Sequence, residues 1–277
     1  MLARLLENWL DSSSERAFQA PFCAILVSEG HTLLHSTRHC GMELGKDIIS
    51  IAPDGVPCAF QLKSASSGKL GLRHWRDEIS QQVIDLVNLP VRHPSLPQSP
   101  PWHRAYLVTN GEIEEEMSRA IDDLNAGWSQ RGHPELHLHV ISRGQFLHSA
   151  LLLGEALWPS EPFDLKTLLE FLIEDGTARL DRKRFASLIE ASLLAHEDDA
   201  TPAPTSTASR RRLSAGAILC AHALSTFHKQ GNHVAEVYGW TIFAAYVLLC
   251  AEKWKIGDAD WVQSFDIAIG SIDGALA

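Results

Sequence analysis

Glu43, Asp47, Gln61 and Lys63 are the residues of this chain whose types and spacing can do chemistry. The two acids flank Gly45, where the backbone can turn tightly. An apolar segment follows Asp47, then the turn Pro53-Asp54-Gly55, then a second apolar segment ending in Gln61-Leu62-Lys63. On a strand, residues two apart share a face, so Gln61 and Lys63 point together and a hairpin can bring them beside Asp47. A carboxylate, an amide oxygen and an ammonium group converging at a strand end read as a Mg²⁺-assisted hydrolytic site, because Mg²⁺ takes a few hard oxygen ligands and keeps water. Such an ion polarises a phosphodiester and acidifies the attacking water. Lys63 would hold that water or offset charge on the pentavalent transition state. Taken singly, Asp47 and Lys63 also fit a surface salt bridge, and Gln61 fits ordinary strand hydrogen bonding.

Beyond this stretch, Ser64–Arg76 carries Lys69, Arg73, His74 and Arg76 beside a Ser/Gly-rich loop. Lys69, Arg73 and Arg76 are candidates for contact with a nucleic-acid backbone, with Trp75 stacking on a base. The plainer reading is a solvated loop entering a helix, with Trp75 anchored in the core. His31, His35 and His39 fall four apart, but on a strand that spacing spreads them over roughly 27 Å, too far for one metal. His137 and His139 are expected to face solvent. Arg210–Arg212 reads as a solvated helix start, because its charge opposes the macrodipole.

Periodicity supplies the elements that must position these residues. Helical spacing marks residues 1–10 and 14–28, and β-like segments follow at 32–36, 47–51 and 58–63. A helix is predicted over 75–89, an exposed loop over 90–101 with its five prolines, a strand over 104–108, a helix over 113–126, a strand over 136–141 and a helix over 145–153. That order predicts an α/β fold, a mixed sheet flanked by helices. From residue 161 onward only helical spacing persists, over 165–173, 182–194, 215–229 and 233–255. Between them, residues 197–209 read as a mobile polar loop. The apolar stripe Trp240–Cys250 is expected to pack in a helical core or against a partner. Two domains are therefore expected, 1–160 and 161–277, the second all-helical, and further helices of a longer parent chain could lie beyond Asp273-Gly274.

Composition narrows the function classes. The chain has 277 residues, 45% of them hydrophobic and 21% charged, which is ordinary globular usage rather than a disordered or fibrous one. The five cysteines are widely spaced and form no CxxC pair, which argues against a zinc ribbon or a secreted disulfide framework. A reducing cytoplasm is expected. Met1–Leu10 mixes Arg4 and Glu7 into its apolar residues and is not patterned as a signal peptide. The longest apolar run, Trp240–Ala251, is 12 residues, short of the ~20 a membrane span needs, so no membrane segment is expected. The net charge is −10, and residues 1–160 carry 13 basic against 18 acidic side chains. That balance argues against a protein that coats nucleic acid through global positive charge, and it points to targeting by a partner, an oligomer or an associated ATPase.

Glu43-x-Gly45-x-Asp47, a hairpin and then Gln61-x-Lys63 resemble the core of PD-(D/E)xK phosphodiesterases, most closely the Mrr-like restriction endonuclease branch with its QxK variant. Phe18-Gln19 resembles the Phe-Glu of that family's first helix. Tyr106–Gly111 resembles a later strand ending in Thr-Asn-Gly, and Val140–Arg143 a closing strand and helix. The likeness covers about residues 15–155. It implies a restriction-endonuclease-like sheet and a catalytic set of Glu43, Asp47, Gln61 and Lys63. Asp47 would be the main ligand of Mg²⁺ or Mn²⁺, Glu43 a second or water-mediated one, and Gln61 would take a position where a carboxylate usually binds. Two positions depart from the pattern: Gln19 stands where a glutamate often supplies a carboxylate, and Glu43 stands where aspartate is commoner. The resemblance implies a metal-dependent endonuclease acting on nucleic acid, DNA favoured, in prokaryotic restriction or anti-phage defence. Its alternative is a catalytically inactive module of the same fold that binds nucleic acid or partner proteins in a defence complex. The helical region is expected to carry a homo-oligomer or partner-protein contact, and in a third reading that contact is the whole function.

Overall fold

The computed structural model describes residues 2–36, 46–65, 67–96, 102–194 and 203–276, so Glu43, Gly45, His39 and Cys40 lie outside the described residues. The chain divides into two compact units, Met1–Glu15 with Gly30–His148, and Arg16–Glu29 with Ser149–Ala277.

The first unit is built on a five-stranded mixed sheet in the order β1-β2-β3-β5-β7. Its strands are β1 (Thr32–His35), β2 (Ile48–Ile51), β3 (Pro57–Lys63), β5 (Arg104–Thr109) and β7 (Leu138–Ile141). β1, β2 and β3 run antiparallel in turn, whereas β3–β5 and β5–β7 are parallel. Two short strands, β4 (Lys69–Leu70) and β6 (Glu112–Ile113), form a separate parallel pair. The β2–β3 turn closes where Gly55 N donates to Ala52 O at 2.8 Å and Asp54 Oδ1 accepts from Val56 N at 3.2 Å. Gly55 has φ of +82°, a left-handed conformation that glycine adopts without a Cβ penalty.

One face of this sheet presents Ala59, Ala105, Leu107 and Leu138 to a core completed by Trp75, Ile79, Val83 and Leu86 and by Met117 and Ile121. The first group of helical residues comes from one continuous helix: α3 (Leu72–His74), a π-helical turn over Trp75–Ile79, and α4 (Ser80–Asn88). The wider π turn keeps both Trp75 and Ile79 on the buried side. Trp75, 8% exposed, is thus a core residue and does not stack on a base. Met117 and Ile121 come from α5 (Glu115–Gln130). This helix starts later than its periodicity predicts, because Ile113 is taken into β6 opposite Leu70. The proline-rich loop is pinned at its start by Val91, which is fully buried; residues 97–101 lie outside the described residues.

The second unit is helical: α7 (Pro162–Ile173), α8 (Arg182–Leu194), α9 (Ser206–Ala223), α10 (Ser225–Lys229), α11 (His233–Trp254) and α12 (Asp258–Leu276). Most of α2 (Glu15–Ser28) belongs to it, and only Glu15 groups with the sheet. Phe171 and Phe185 meet edge to face with ring centroids 5.6 Å apart. A Cβ on Gly216 would stand 2.8 Å from Leu193 Cδ2, so any larger residue there would require the leucine side chain to shift. α12 lies beyond the four predicted helical segments. α9 starts nine residues before the predicted helix because Thr205 caps it, its hydroxyl accepting from Ala208 N at 3.4 Å. This places Ser206–Ser209 in a helix rather than a loop; residues 195–202 lie outside the described residues. The same helix ties down the arginines expected in solvent: Arg210 pairs with Asp260 at 3.5 Å, Arg211 donates to Leu152 O, and Arg212 lies 5.9 Å from the Trp254 ring centroid.

Among the described residues, α11 is by length and composition the one helix able to cross a membrane, and 44% of its apolar window is buried inside the protein. Cys23, Cys58, Cys220 and Cys250 are buried.

Candidate active site

Asp47 stands at the entry to β2, where its backbone N–H donates at 2.9 Å to the carbonyl oxygen of Phe60, the residue that pairs with Ile48. That bond holds Asp47 beside the end of the ladder, within reach of Gln61. The Asp47 carboxylate accepts two hydrogen bonds on Oδ2, from Leu62 N at 2.6 Å and from Gln61 Nε2 at 2.7 Å. Backbone and side chain of the second strand therefore fix the acid found on the first. Gln61 is 5% exposed, and its Oε1 is buried without a hydrogen-bond partner among the described residues. A buried amide oxygen left unpaired is unfavourable by about 1–3 kcal/mol, and a cation would satisfy it.

Lys63 follows two residues later on the same face, opposite Thr109 at the carboxyl ends of parallel β3 and β5. In open α/β sheets, ligands gather at that end of the strands. The Lys63 ammonium lies 3.9 Å from Glu15 Oε1, and the same oxygen accepts from Ser64 N at 3.1 Å. Glu15 is the residue that sequence reasoning misses. It is the first residue of α2, and an acid in a first helical turn reads as a dipole partner. No local signal links it to a lysine far along the chain.

The fold thus brings Asp47 and Gln61 into direct contact and sets Lys63 on their face with Glu15 as its partner; Glu43 lies outside the described residues. Among the described residues, no three His, Cys, Asp or Glu side chains gather as a metal cluster. The donors that do meet are the Asp47 carboxylate and the orphaned Gln61 oxygen, both of the hard type that suits Mg²⁺ or Mn²⁺. Lys46, next to Asp47, is 2% exposed and its Nζ has no hydrogen-bond partner among the described residues. Burial pulls its pKa down to about 8, against the opposing pull of Asp85.

The loop after β3 is held by Asn110, whose Oδ1 accepts from Ala65 N at 2.8 Å while Nδ2 donates to Leu10 O and Ser13 O, each at 2.8 Å. Lys69, Arg73 and Arg76 are all exposed. Arg73 pairs with Asp77 at 3.5 Å, and Lys69 sits opposite Glu112 in the β4–β6 pair, so acids alternate with these cations. Elsewhere, His31 Nδ1 meets Ser50 Oγ at 2.9 Å, and burial lowers its pKa. His139 is exposed and tilts against the Tyr106 ring at 5.2 Å, whereas His137 Nε2 meets Ser129 Oγ at 2.7 Å.

No family model, no curated protein and no solved structure matches this chain.

Proposed function

We propose that the sheet-bearing unit is a restriction-endonuclease-like domain and that the protein is a metal-dependent endonuclease, cleaving phosphodiester bonds of nucleic acid, DNA favoured, in prokaryotic restriction or anti-phage defence. One observation carries this reading. Asp47 and Gln61 meet across a hairpin, with an unpaired amide oxygen buried beside the acid and Lys63 next along the same strand face. Asp47, Gln61 and Glu43 would hold Mg²⁺ or Mn²⁺, which supplies charge neutralisation at the scissile phosphate and a more acidic attacking water. The chain's own residues do the rest. The Leu62 N–H fixes the Asp47 carboxylate before substrate arrives, so no reorganisation is needed during reaction. Lys63 places a positive charge where the phosphorane accumulates negative charge, or holds the attacking water. Glu15 keeps that ammonium from swinging into solvent. Lys69, Arg73 and Arg76 would add contacts to the backbone of the bound strand.

The test is incubation of the full chain with plasmid DNA and Mg²⁺ or Mn²⁺, beside Lys63→Ala. Nicking or linearisation that needs the metal and falls about 10²–10³-fold in the variant supports the assignment. Equal cleavage by both proteins removes it. Retained DNA binding without cleavage supports the second reading, a silent binding module. That reading is favoured by Gln19, which stands where the resembled family often has a glutamate supplying a carboxylate.

A further inference from the structure

α11 carries two faces. One is buried in the helical unit through Ala235, Gly239, Trp240, Phe243, Val247, Cys250 and Trp254. The other is solvent-exposed and consists of Val234, Tyr238, Thr241, Ala245, Leu248 and Glu252. Their spacing is 4-3-4-3-4, the repeat of a two-helix seam. Val234 is 65% exposed, Tyr238 41%, Leu248 44% and the flanking Leu249 46%. Between Val234 and Ala251 the sole charged residue is Glu236, which turns inward and meets His228 Nδ1 at 2.8 Å. The exposed stripe is about 27 Å long at 1.5 Å per residue and uncharged up to Glu252.

The stripe is complementary to itself when reversed. Turned about a two-fold axis at the level of Phe243, Thr241 faces Ala245, Tyr238 faces Leu248, Val237 faces Leu249, and Val234 faces Glu252. Small residues meet at the centre, where two helix backbones must approach most closely, and large ones meet on either side. Charge agrees with this arrangement. Arg182 of α8 holds its guanidinium 4.8 Å from the Tyr238 ring centroid, one helical turn (~6 Å) from Val234, the residue that a second copy would meet with Glu252. A parallel pairing would instead set Glu252 against Glu252.

We propose that the exposed face of α11 is an isologous interface on which a second copy of this chain docks antiparallel, crossing at Thr241 and Ala245. This inference is independent of the nuclease reading, since it rests on the helical unit alone. α11 buries its other face against α8, α9 and α12, which leaves one face for a single partner helix.

The experiment uses the full chain. Light scattering after size exclusion is expected to give a dimer mass, and Leu248→Glu a monomer with an unchanged far-ultraviolet spectrum. Arg182→Glu and Glu252→Arg should each weaken the dimer about threefold to tenfold, and together restore it. Under oxidation, Thr241→Cys mixed with Ala245→Cys should cross-link, whereas Val234→Cys alone should not. A monomer at all concentrations overturns the proposal. So does Val234→Cys cross-linking to itself, which marks a parallel pair, or co-flotation of the monomer with phosphatidylglycerol vesicles, which would assign the face to a membrane.

Discussion

Gln61 Nε2 and the backbone N–H of Leu62 converge on a single oxygen of Asp47, Oδ2, at 2.7 and 2.6 Å, so one strand of the hairpin holds the acid of the other in a fixed rotamer. In the proposed nuclease, structure and chemistry would be tied together at that oxygen, and substitutions at position 47 separate them.

Asp47→Ala leaves the Leu62 N–H without its acceptor and Gln61 Nε2 with only the longer bond to Leu62 O, and should lower folding stability by about 1–3 kcal/mol. Asp47→Asn keeps an oxygen for the Leu62 N–H and removes only the charge. Urea denaturation should therefore place Asn near the parent protein and Ala well below it, while both lose metal-dependent plasmid cleavage. Cleavage by the Asn variant at the parent rate would show that the charge has no part in the reaction.

Glu15→Gln probes the lysine's partner. The amide still accepts from Ser64 N, so the fold should be undisturbed, but the ion pair with Lys63 is gone. The cleavage rate should fall about tenfold with little change in DNA affinity, because the loss concerns where the ammonium sits. A gel-shift titration beside single-turnover cleavage separates the two quantities. Weakened binding at an unchanged rate would give Glu15 a different role.

Asn110 satisfies three buried backbone groups from two distant segments, through one acceptor and two donors. Asn110→Ala should cost about 3 kcal/mol, and Asn110→Asp at least as much, since a carboxylate cannot donate to Leu10 O and Ser13 O. The urea midpoint measures both.

His222 gives the helical unit an acid sensitivity. Its ring is 2% exposed, set edge-on to Trp158, and desolvation pulls its pKa down to about 4. The folded state then binds fewer protons than the unfolded one between about 6.5 and about 4. Stability due to this group is full above that window and is lost as pH falls through it, by up to about 3 kcal/mol. Thermal melts at pH 7 and pH 5 should show a smaller drop in His222→Phe than in the parent; an equal drop would place the sensitivity elsewhere.

Much of this architecture is legible locally. Pro53-Asp54-Gly55 between two apolar runs specifies a hairpin, and alternation along Gln61-Leu62-Lys63 puts the amide and the amine on one face. The helices of the second unit follow from 3.6-residue spacing, apart from the early start of α9, which a threonine cap decides, and α12, where Asp266 and Asp273 interrupt the apolar pattern. Other assignments needed the folded chain. Trp75, beside three basic residues, reads equally as a base-stacking platform or a core anchor, and a π turn plus the sheet beneath it makes it core. Ile113 belongs to a helical pattern by periodicity and to a strand by its pairing with Leu70.

The amino-acid order by itself determined the hairpin, the shared face of Gln61 and Lys63, and the helical nature of the region after residue 161, because turn chemistry and residue periodicity act over a few neighbouring positions. Tertiary structure alone decided that Glu15 answers Lys63, and that, among the described residues, Gln61 Oε1 is left without a partner and one face of α11 stays uncovered. Those outcomes depend on which distant segments share a buried volume, and strand order and packing set that where local pattern cannot.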